Sequence, residues 1–305
     1  MQDFIRETIH VDENSKLIIA LGDSFVEGQG AVSKETWEKY NWSEEDMTNA
    51  PQEHPEFKEL RWEEHNNSFV NVLCRDYFPE FTPINFGYRG NGNRAATKAL
   101  SLHPDLNLSV AKEKIVILFV GQFVRFDFFN NLCNDGHSLF HTIWPHETTS
   151  DQRLGVRNLW NGYATEVFND KTGALELICN IIEVQNWCKV NNAKLIIANS
   201  FEYSFDKEFL NDALSSTKYL QQMVDEIEWD KVYKPDGYDA FIDILTDMEG
   251  QPELKERQHQ FYYWAKENAV NDYTPGGFLT PCAHPSPKGH KVYAELFAKK
   301  IRTLL

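Results

Sequence analysis

Four short apolar segments constrain the fold of this 305-residue chain more than any other feature of its sequence. They are KLIIAL at 16–21, PINF at 83–86, KIVILFV at 114–120 and KLIIA at 194–198. Continuous apolar runs of this length, rich in β-branched residues, are typical of parallel strands that are covered on both faces. The sequence therefore predicts a buried parallel sheet.

Helix-like stretches separate these strands. Apolar residues recur at helical spacing over residues 67–78, 175–190 and 288–304. Alternation of strands and helices indicates an α/β fold with a mainly parallel, doubly wound sheet between two helical layers. Because no internal repeat or Gly/Ser linker divides the chain, we expect one domain over residues 1–305, with large insertions at about 33–66 and 201–280.

The charge and the cysteines narrow the class of protein. A net charge of −16 without a Lys/Arg-rich run disfavours nucleic acid and anionic membranes as partners. The longest apolar run, 115–120, is far shorter than the ~20 residues of a membrane span, and the N-terminus has no apolar signal-peptide stretch. Five cysteines without a CxxC pair indicate reduced thiols rather than a disulfide framework or a zinc site. These features predict a cytoplasmic protein and leave its oligomeric state open.

The first predicted strand ends in the turn Gly22-Asp23-Ser24. A serine at this point lies at the carboxyl edge of the sheet, where α/β proteins place their sites. A following helix would aim its free N–H groups at the same place. Such a serine can be a nucleophile, and it can equally be a helix N-cap.

The second predicted strand ends in a loop rich in glycine and asparagine, NFGYRGNGN at 85–93. The many backbone N–H groups of such a loop can bind an anion or a developing negative charge. A phosphate-binding G-x-x-G-x-G motif is the alternative. A position on the second strand and the lack of an acidic ribose partner on the next strand disfavour a dinucleotide.

A histidine-containing loop, PCAHPSPKGH at 281–290, precedes the last predicted helix. Its prolines restrict the backbone, so His284 has little conformational freedom and can accept a proton from a serine hydroxyl on a neighbouring loop. Alone, either histidine of this loop also fits a structural role.

In chain order, these three blocks resemble the SGNH (GDSL-type) hydrolase superfamily. GDS, N-x-x-x-x-G and H-P-S-x-x-G-H are similar to its first, second and fifth blocks. The resemblance implies a flavodoxin-like three-layer α/β/α sandwich and serine-dependent hydrolysis of esters, often acyl or acetyl groups on lipids or carbohydrates. By position it implies Ser24 as the nucleophile, His284 as the general base, and the backbone N–H groups of Ser24 and Gly90 as oxyanion-hole donors.

The third block departs from the superfamily pattern. An asparagine side chain is normal after the third strand, and here Gln122 is the nearest amide. Gln122 is therefore the candidate for the third oxyanion donor, whose loss would cost about 10²–10³ in rate. Arg125 either binds a carbonyl or anionic group or forms a salt bridge beside the site. Asp23 and Asn93, within the two loop motifs, are further candidates for supporting roles.

The fifth block also departs from the pattern. The superfamily places an aspartate three residues before the catalytic histidine, where this chain has Pro281. Three alternatives remain: another carboxylate such as Asp272 orients His284, a backbone carbonyl orients it in a dyad, or the enzyme is weak.

Two further sets of residues are candidates for binding. His137, His141 and His146 have a spacing that a metal site could use, but the neighbouring Gly136 and Pro145 favour unrelated loop histidines, so we expect no metal. Three tryptophans of the acidic insertion could stack on sugar rings or belong to the core: Trp37, Trp42 and Trp62.

The leading hypothesis is a metal-independent serine esterase that needs no cofactor and deacylates a small-molecule or carbohydrate ester, with acetyl on a carbohydrate favoured. The segment 34–66 carries a net charge of −6, which favours a neutral ester over a polyanion. The alternative is a catalytically weak or inactive SGNH-fold protein that binds carbohydrate or has a structural role, because the expected aspartate and asparagine are missing. A third hypothesis is acyl transfer to an alcohol through the same residues.

Overall fold

The central sheet lies between two layers of helices. The computed structural model describes residues 9–40, 58–90, 92–102, 107–129, 140–143, 154–201, 205–216, 218–257, 260–269 and 272–305. Its strands are Lys16–Gly22 (β1), Thr82–Gly87 (β2), Glu113–Val120 (β3), Phe126–Phe129 (β4), Phe140–Ile143 (β5), Lys194–Asn199 (β6) and Val232–Tyr233 (β7).

The helices precede, connect and follow these strands. They are Ser24–Glu27 (α1), Lys34–Tyr40 (α2), Lys58–Asn67 (α3), Phe69–Tyr77 (α4), Asn93–Leu102 (α5), Leu154–Gly162 (α6), Asp170–Val190 (α7), Lys207–Ala213 (α8), Lys218–Asp225 (α9), Phe241–Met248 (α10), Gln260–Asn268 (α11) and Pro287–Arg302 (α12). Short 3₁₀ turns cover Leu108–Val110, Trp229–Lys231, Pro235–Gly237 and Pro252–Arg257, and a π-helical turn covers Tyr163–Val167.

The five strands of the main sheet are parallel and have the order β2-β1-β3-β6-β7. β4 and β5 form a separate antiparallel pair. The predicted doubly wound parallel sheet is confirmed, and the four predicted strands agree with β1, β2, β3 and β6 to within two residues at each end. β7 was not predicted, because two residues are too short to give a pattern.

Alternate residues of the strands face two separate cores. Leu17, Ile19 and Leu21 of β1 pack with residues of α5 and α7 on one face of the sheet. Ile18 and Ala20 pack with residues of α4, α10 and α12 on the other. Burial on both faces explains why the strand segments are almost entirely apolar, since each fully buried Leu or Ile side chain contributes about 1.5–3 kcal/mol.

The described part of the first insertion supports a loop at the carboxyl edge of the sheet. Trp37 of α2 and Leu60 of α3 pack with Val32 against Cys282, in the loop that precedes α12. Trp37 is therefore a core residue rather than a free stacking surface, whereas Trp62 is 52% exposed. Trp42 lies outside the described residues.

In the described parts of the chain, no helix combines the length and the apolarity that crossing a membrane requires.

Candidate active site

Ser24 lies where β1 passes into α1. The turn is tight: a Cβ atom on Gly22 would lie 2.4 Å from Cγ2 of Val26. Asp23 caps the helix, because its Oδ1 accepts a hydrogen bond from the N–H of Phe25 at 3.0 Å. Ser24 is the first residue of α1, and its own backbone N–H has no acceptor among the described residues. This N–H group is therefore available to a ligand at the carboxyl edge of the sheet.

His284 contacts Ser24 across 260 positions of sequence. Its Nε2 lies 2.7 Å from Oγ of Ser24, and its Nδ1 lies 2.8 Å from the backbone oxygen of Cys282. A carbonyl oxygen can only accept, so Nδ1 carries the proton and Nε2 has the free lone pair. The Ser24 hydroxyl therefore donates to Nε2. This is the tautomer that a general base needs.

The left-handed backbone of Ala283 brings the Cys282 carbonyl to the imidazole. Ala283 has φ of 60°, an uncommon conformation for a residue other than glycine. Thr280 holds the turn closed: its carbonyl accepts from the N–H of Ala283, its N–H donates to the carbonyl of His284, and its hydroxyl accepts from the N–H of His284. The histidine is thus oriented by backbone groups of its own loop.

The surroundings of His284 keep its imidazole neutral. The pKa of His284 is lowered to about 4, mainly by burial, which the hydrogen bond to Cys282 opposes and the positive charges of Arg125 and Lys266 reinforce. The Phe25 ring contributes to this apolar environment, with its centroid 5.1 Å from that of the imidazole. At neutral pH the ring is therefore uncharged, and the lone pair of Nε2 is free.

Asp272, the carboxylate named among the three alternatives for orienting His284, does not contact the imidazole. Asp272 forms a surface ion pair with Lys34 at 2.5 Å, and Nδ1 of His284 is already occupied by the Cys282 carbonyl. Among the described residues, no carboxylate contacts the imidazole. The arrangement is a Ser–His dyad with a carbonyl in place of an acid, which was one of the three alternatives.

The loop after β2 approaches α1 closely. A Cβ atom on Gly87 would lie 2.1 Å from the backbone nitrogen of Glu27, so only glycine permits this contact. Gly90 has φ of 79°, with open space where a Cβ would point, and its N–H has no acceptor among the described residues. The open space and the available N–H are properties that an oxyanion donor requires.

The remaining candidates form a polar network between β3 and α5. Arg125 donates from Nη1 to Oδ2 of Asp23 at 2.9 Å and from Nε to Oε1 of Gln122 at 3.3 Å. Of the two alternatives for Arg125, the structure therefore shows the salt bridge. Because Arg125 binds the amide oxygen of Gln122, the amide nitrogen of Gln122 is the atom that can donate to a ligand. Asn93 holds Gly121 through two hydrogen bonds, one from Gly121 N–H at 2.9 Å and one to Gly121 O at 3.1 Å.

Three residues that the sequence analysis missed also fix the loop after β2. Asp127 is fully buried, and its carboxylate accepts from the N–H groups of Gly92 and Ala95, which positions the start of α5. Glu27 accepts from the backbone N–H and from Nε of Arg89, the residue before Gly90. The sequence signal for these residues was their position: Glu27 follows Ser24 by three residues, and Arg89 lies in the glycine-rich loop.

The three histidines considered as a metal site, His137, His141 and His146, fall wholly or partly outside the described residues. His137 and His146 lie outside them, and only the backbone of His141 is described, in β5. Across the described ranges, no three His, Cys, Asp or Glu side chains group in a way that could hold a metal ion.

Solved structures similar to this chain include two esterases and a lipolytic protein. A protein described as lipolytic, of the G-D-S-L family from Desulfitobacterium hafniense, is 15% identical, with 94% of this chain and 99% of that chain covered and a TM-score of 0.35. An acetyl xylan esterase is 12% identical, with 93% and 98% covered and a TM-score of 0.36. A psychrotrophic esterase from Pseudoalteromonas is 12% identical, with 95% and 98% covered and a TM-score of 0.40.

In fold, the chain is similar to these proteins, one of which belongs to the G-D-S-L family. No protein-family model matches the sequence, and no curated protein sequence matches it. Because the identities and TM-scores are low, these structural similarities concern the fold and not the substrate or the mechanism.

Proposed function

We propose that the protein is a serine-dependent ester hydrolase in which Ser24 is the nucleophile and His284 the general base. The observation that carries this proposal is the 2.7 Å contact between Ser24 Oγ and His284 Nε2, in a ring whose other nitrogen is fixed by the Cys282 carbonyl. A serine hydroxyl becomes a competent nucleophile when an adjacent base takes its proton.

The reaction proceeds in two halves. Ser24 Oγ attacks the ester carbonyl carbon while its proton passes to Nε2, and the oxyanion accepts hydrogen bonds from the N–H groups of Ser24 and Gly90. The intermediate collapses, and the leaving alcohol takes the proton from Nε2. Water then attacks the acyl-enzyme and gives a proton to Nε2. When this second intermediate collapses, the carboxylic acid leaves and Oγ of Ser24 takes the proton back from Nε2. The amide nitrogen of Gln122 is the candidate for a third donor.

The dyad lacks the negative charge that a triad aspartate supplies. Replacing that aspartate in a serine protease lowers kcat about 10⁴-fold, because the imidazole takes the wrong tautomer. The Cys282 carbonyl fixes the right tautomer without a charge, so we expect a smaller deficit here. Within the part of the chain that the structure describes, the group that stabilises the developing imidazolium is the Cys282 carbonyl dipole.

We further propose a neutral ester as the substrate, with acetyl on a carbohydrate as the favoured case from the sequence resemblance. The net charge of −6 over residues 34–66 supports a neutral substrate, because part of this segment packs against the loop that carries His284. A polyanionic ester would be repelled there.

The test is hydrolysis of p-nitrophenyl acetate by the wild type, Ser24→Ala and His284→Ala. The matched controls are Ser109→Ala and His10→Ala, which change exposed residues away from the dyad. We expect turnover and fluorophosphonate labelling in the wild type and both controls, and loss of both in the dyad variants. Equal rates in wild type and Ser24→Ala would refute the proposal.

The lack of a carboxylate beside His284, within the part of the chain that the structure describes, supports a second candidate function: a carbohydrate-binding protein with little or no catalysis. This candidate predicts a glycan-array signal that is unchanged in Ser24→Ala, together with no turnover of any ester. Transfer to an alcohol is separated from hydrolysis by product analysis with an added acceptor sugar.

A further inference from the structure

Four buried, charged side chains lie between α1, α3 and the loop that carries Gly90. The exposed fractions of these side chains are 8% for Arg89, 6% for Glu27, 0% for Glu64 and 2% for Arg61. The proposed ester hydrolysis uses none of them directly. Charged groups are rarely buried to this degree unless they are paired, so their contacts indicate what they do.

Glu27 connects the two elements that supply the proposed oxyanion donors. It lies three residues after Ser24, at the end of α1. Its Oε2 accepts from the backbone N–H of Arg89 at 2.7 Å and from Nε of Arg89 at 3.1 Å. Arg89 immediately precedes Gly90 in the chain. One carboxylate oxygen therefore joins the helix of the nucleophile to the residue that precedes the second donor.

Glu64 of α3 holds Arg89 from the other side. Its Oε2 accepts from Nη2 of Arg89 at 2.8 Å and from Nη1 of Arg61 at 2.7 Å, and its Oε1 accepts from the N–H of Gly30 at 2.7 Å. The Arg89 guanidinium is thus fixed by two carboxylates from two helices. Gly30, in the turn after α1, is held by the same group.

Net stability is a poor explanation for such a cluster. The cost of removing charges from water largely cancels the attraction between buried ion pairs, and apolar residues of similar volume often stabilise a protein as well or better. Hydrogen bonds of fixed direction to a guanidinium and a backbone N–H do provide geometric definition. Gly87 adds a second close contact between the same two elements.

We propose that Glu27 and Arg89 are positioning residues that set the distance between the N–H groups of Ser24 and Gly90. We call this pair the Glu27–Arg89 clamp. The inference rests on the proposed esterase function and deepens it. The clamp acts through the backbone and contacts no reacting atom, so its loss should lower the rate of the chemical step more than it weakens substrate binding.

The first test compares the kinetics of clamp variants with those of surface controls. Burial raises the pKa of Glu27 and of Glu64 to about 7, and Arg61 opposes the shift. The assay is therefore run at pH 8, where both carboxylates are more fully ionised. Arg89→Lys and Glu27→Gln should each lower kcat about 10²-fold while KM changes less than about threefold, as expected for a donor displaced by roughly 1 Å. The double variant should be little worse than either single variant.

The controls make the same chemical changes in exposed ion pairs. Arg75→Lys alters an arginine that pairs with Asp76, and Glu59→Gln alters a glutamate that pairs with Lys39. Both should retain wild-type kcat. Thermal unfolding of all variants identifies any that are not folded at the assay temperature. If Glu27→Gln is unfolded, the kcat of Arg89→Lys, which keeps the charge, tests the proposal.

The second test does not depend on catalysis. Hydrogen exchange of the backbone N–H of Arg89 should be faster in Glu27→Gln than in the wild type and unchanged in Glu59→Gln, because Glu27 is the acceptor of that N–H. Wild-type kcat in folded Arg89→Lys and Glu27→Gln, or unchanged exchange at Arg89, overturns the clamp. A wild type that neither turns over an ester nor reacts with a fluorophosphonate overturns the esterase itself, and with it the positioning role, whatever the exchange result.

Discussion

The contact between the end of β2 and α1 leads to a quantitative prediction for Gly87→Ala. The added methyl group would lie 2.1 Å from the backbone nitrogen of Glu27 and 2.5 Å from the carbonyl carbon of Val26, whereas ordinary contacts are 3.4–4 Å. Both neighbours are backbone atoms, so α1 and the loop must separate by at least about 1 Å to reach ordinary contact. Such overpacking lowers the free energy of unfolding by about 1–3 kcal/mol.

Two other glycine-to-alanine variants serve as controls, because neither creates a steric contact. One measures the effect of alanine on an unstrained backbone, and the other measures the effect of backbone strain. Gly162, at the end of α6, has helical backbone angles, and a Cβ atom added there would meet nothing within 4 Å, so Gly162→Ala should stabilise the protein by about 0.4–1 kcal/mol. Gly90 also has nothing within 4 Å but has φ of 79°, so Gly90→Ala should cost about 1–2 kcal/mol from backbone strain alone.

The assay is thermal unfolding combined with kcat/KM for the three variants. At about 2 °C per kcal/mol for a chain of this size, Gly87→Ala should lower Tm by about 2–6 °C and Gly162→Ala should raise it slightly. If the proposed roles of Ser24 and Gly90 are right, a shift of about 1 Å between α1 and the loop of Gly90 should also lower kcat/KM of Gly87→Ala about 10²-fold. If Gly87→Ala and Gly162→Ala have the same Tm and the same kcat/KM, the close contact has no structural or catalytic role.

Three further predictions concern the histidine and its loop. Asp272→Asn should change kcat/KM less than about twofold, because Asp272 pairs with Lys34, and a loss above about tenfold would show that it orients His284 after all. An NMR titration of the His284 imidazole should have its midpoint near pH 4 rather than the ordinary value near 6.5, since burial favours the neutral ring; a midpoint near 6.5 would contradict this. Ala283→Val should lower the free energy of unfolding by more than about 1–2 kcal/mol and lower kcat, because a β-branched residue is strained at φ of 60°. Glycine adopts this φ without strain, so Ala283→Gly should unfold at or above the wild-type Tm.

Much of the framework could be predicted from the sequence because it depends on local patterns. The strand segments were continuous apolar runs, and both faces of the sheet are in fact covered by helices. The pairing of Ser24 with His284 was expected from the superfamily resemblance that three motifs carry. These signals are contained in residue types and their spacing.

The rest depends on contacts that residue types do not encode. The group that orients His284 is a backbone carbonyl, which every residue has, so only the left-handed turn at Ala283 identifies it. Glu27 and Arg89 are 62 positions apart, and a charge in a loop is more often solvated than buried. Asp272 was a reasonable candidate by distance along the chain, but its side chain lies in a surface ion pair.

The separation of 260 positions between Ser24 and His284 has a consequence for biosynthesis. At about 5–20 residues per second, a ribosome needs roughly 13–50 s after making the serine before it adds the histidine. During that interval, the nascent chain carries Ser24 without His284. Under the proposed mechanism, a product truncated before residue 284 lacks the general base and does not turn over an ester.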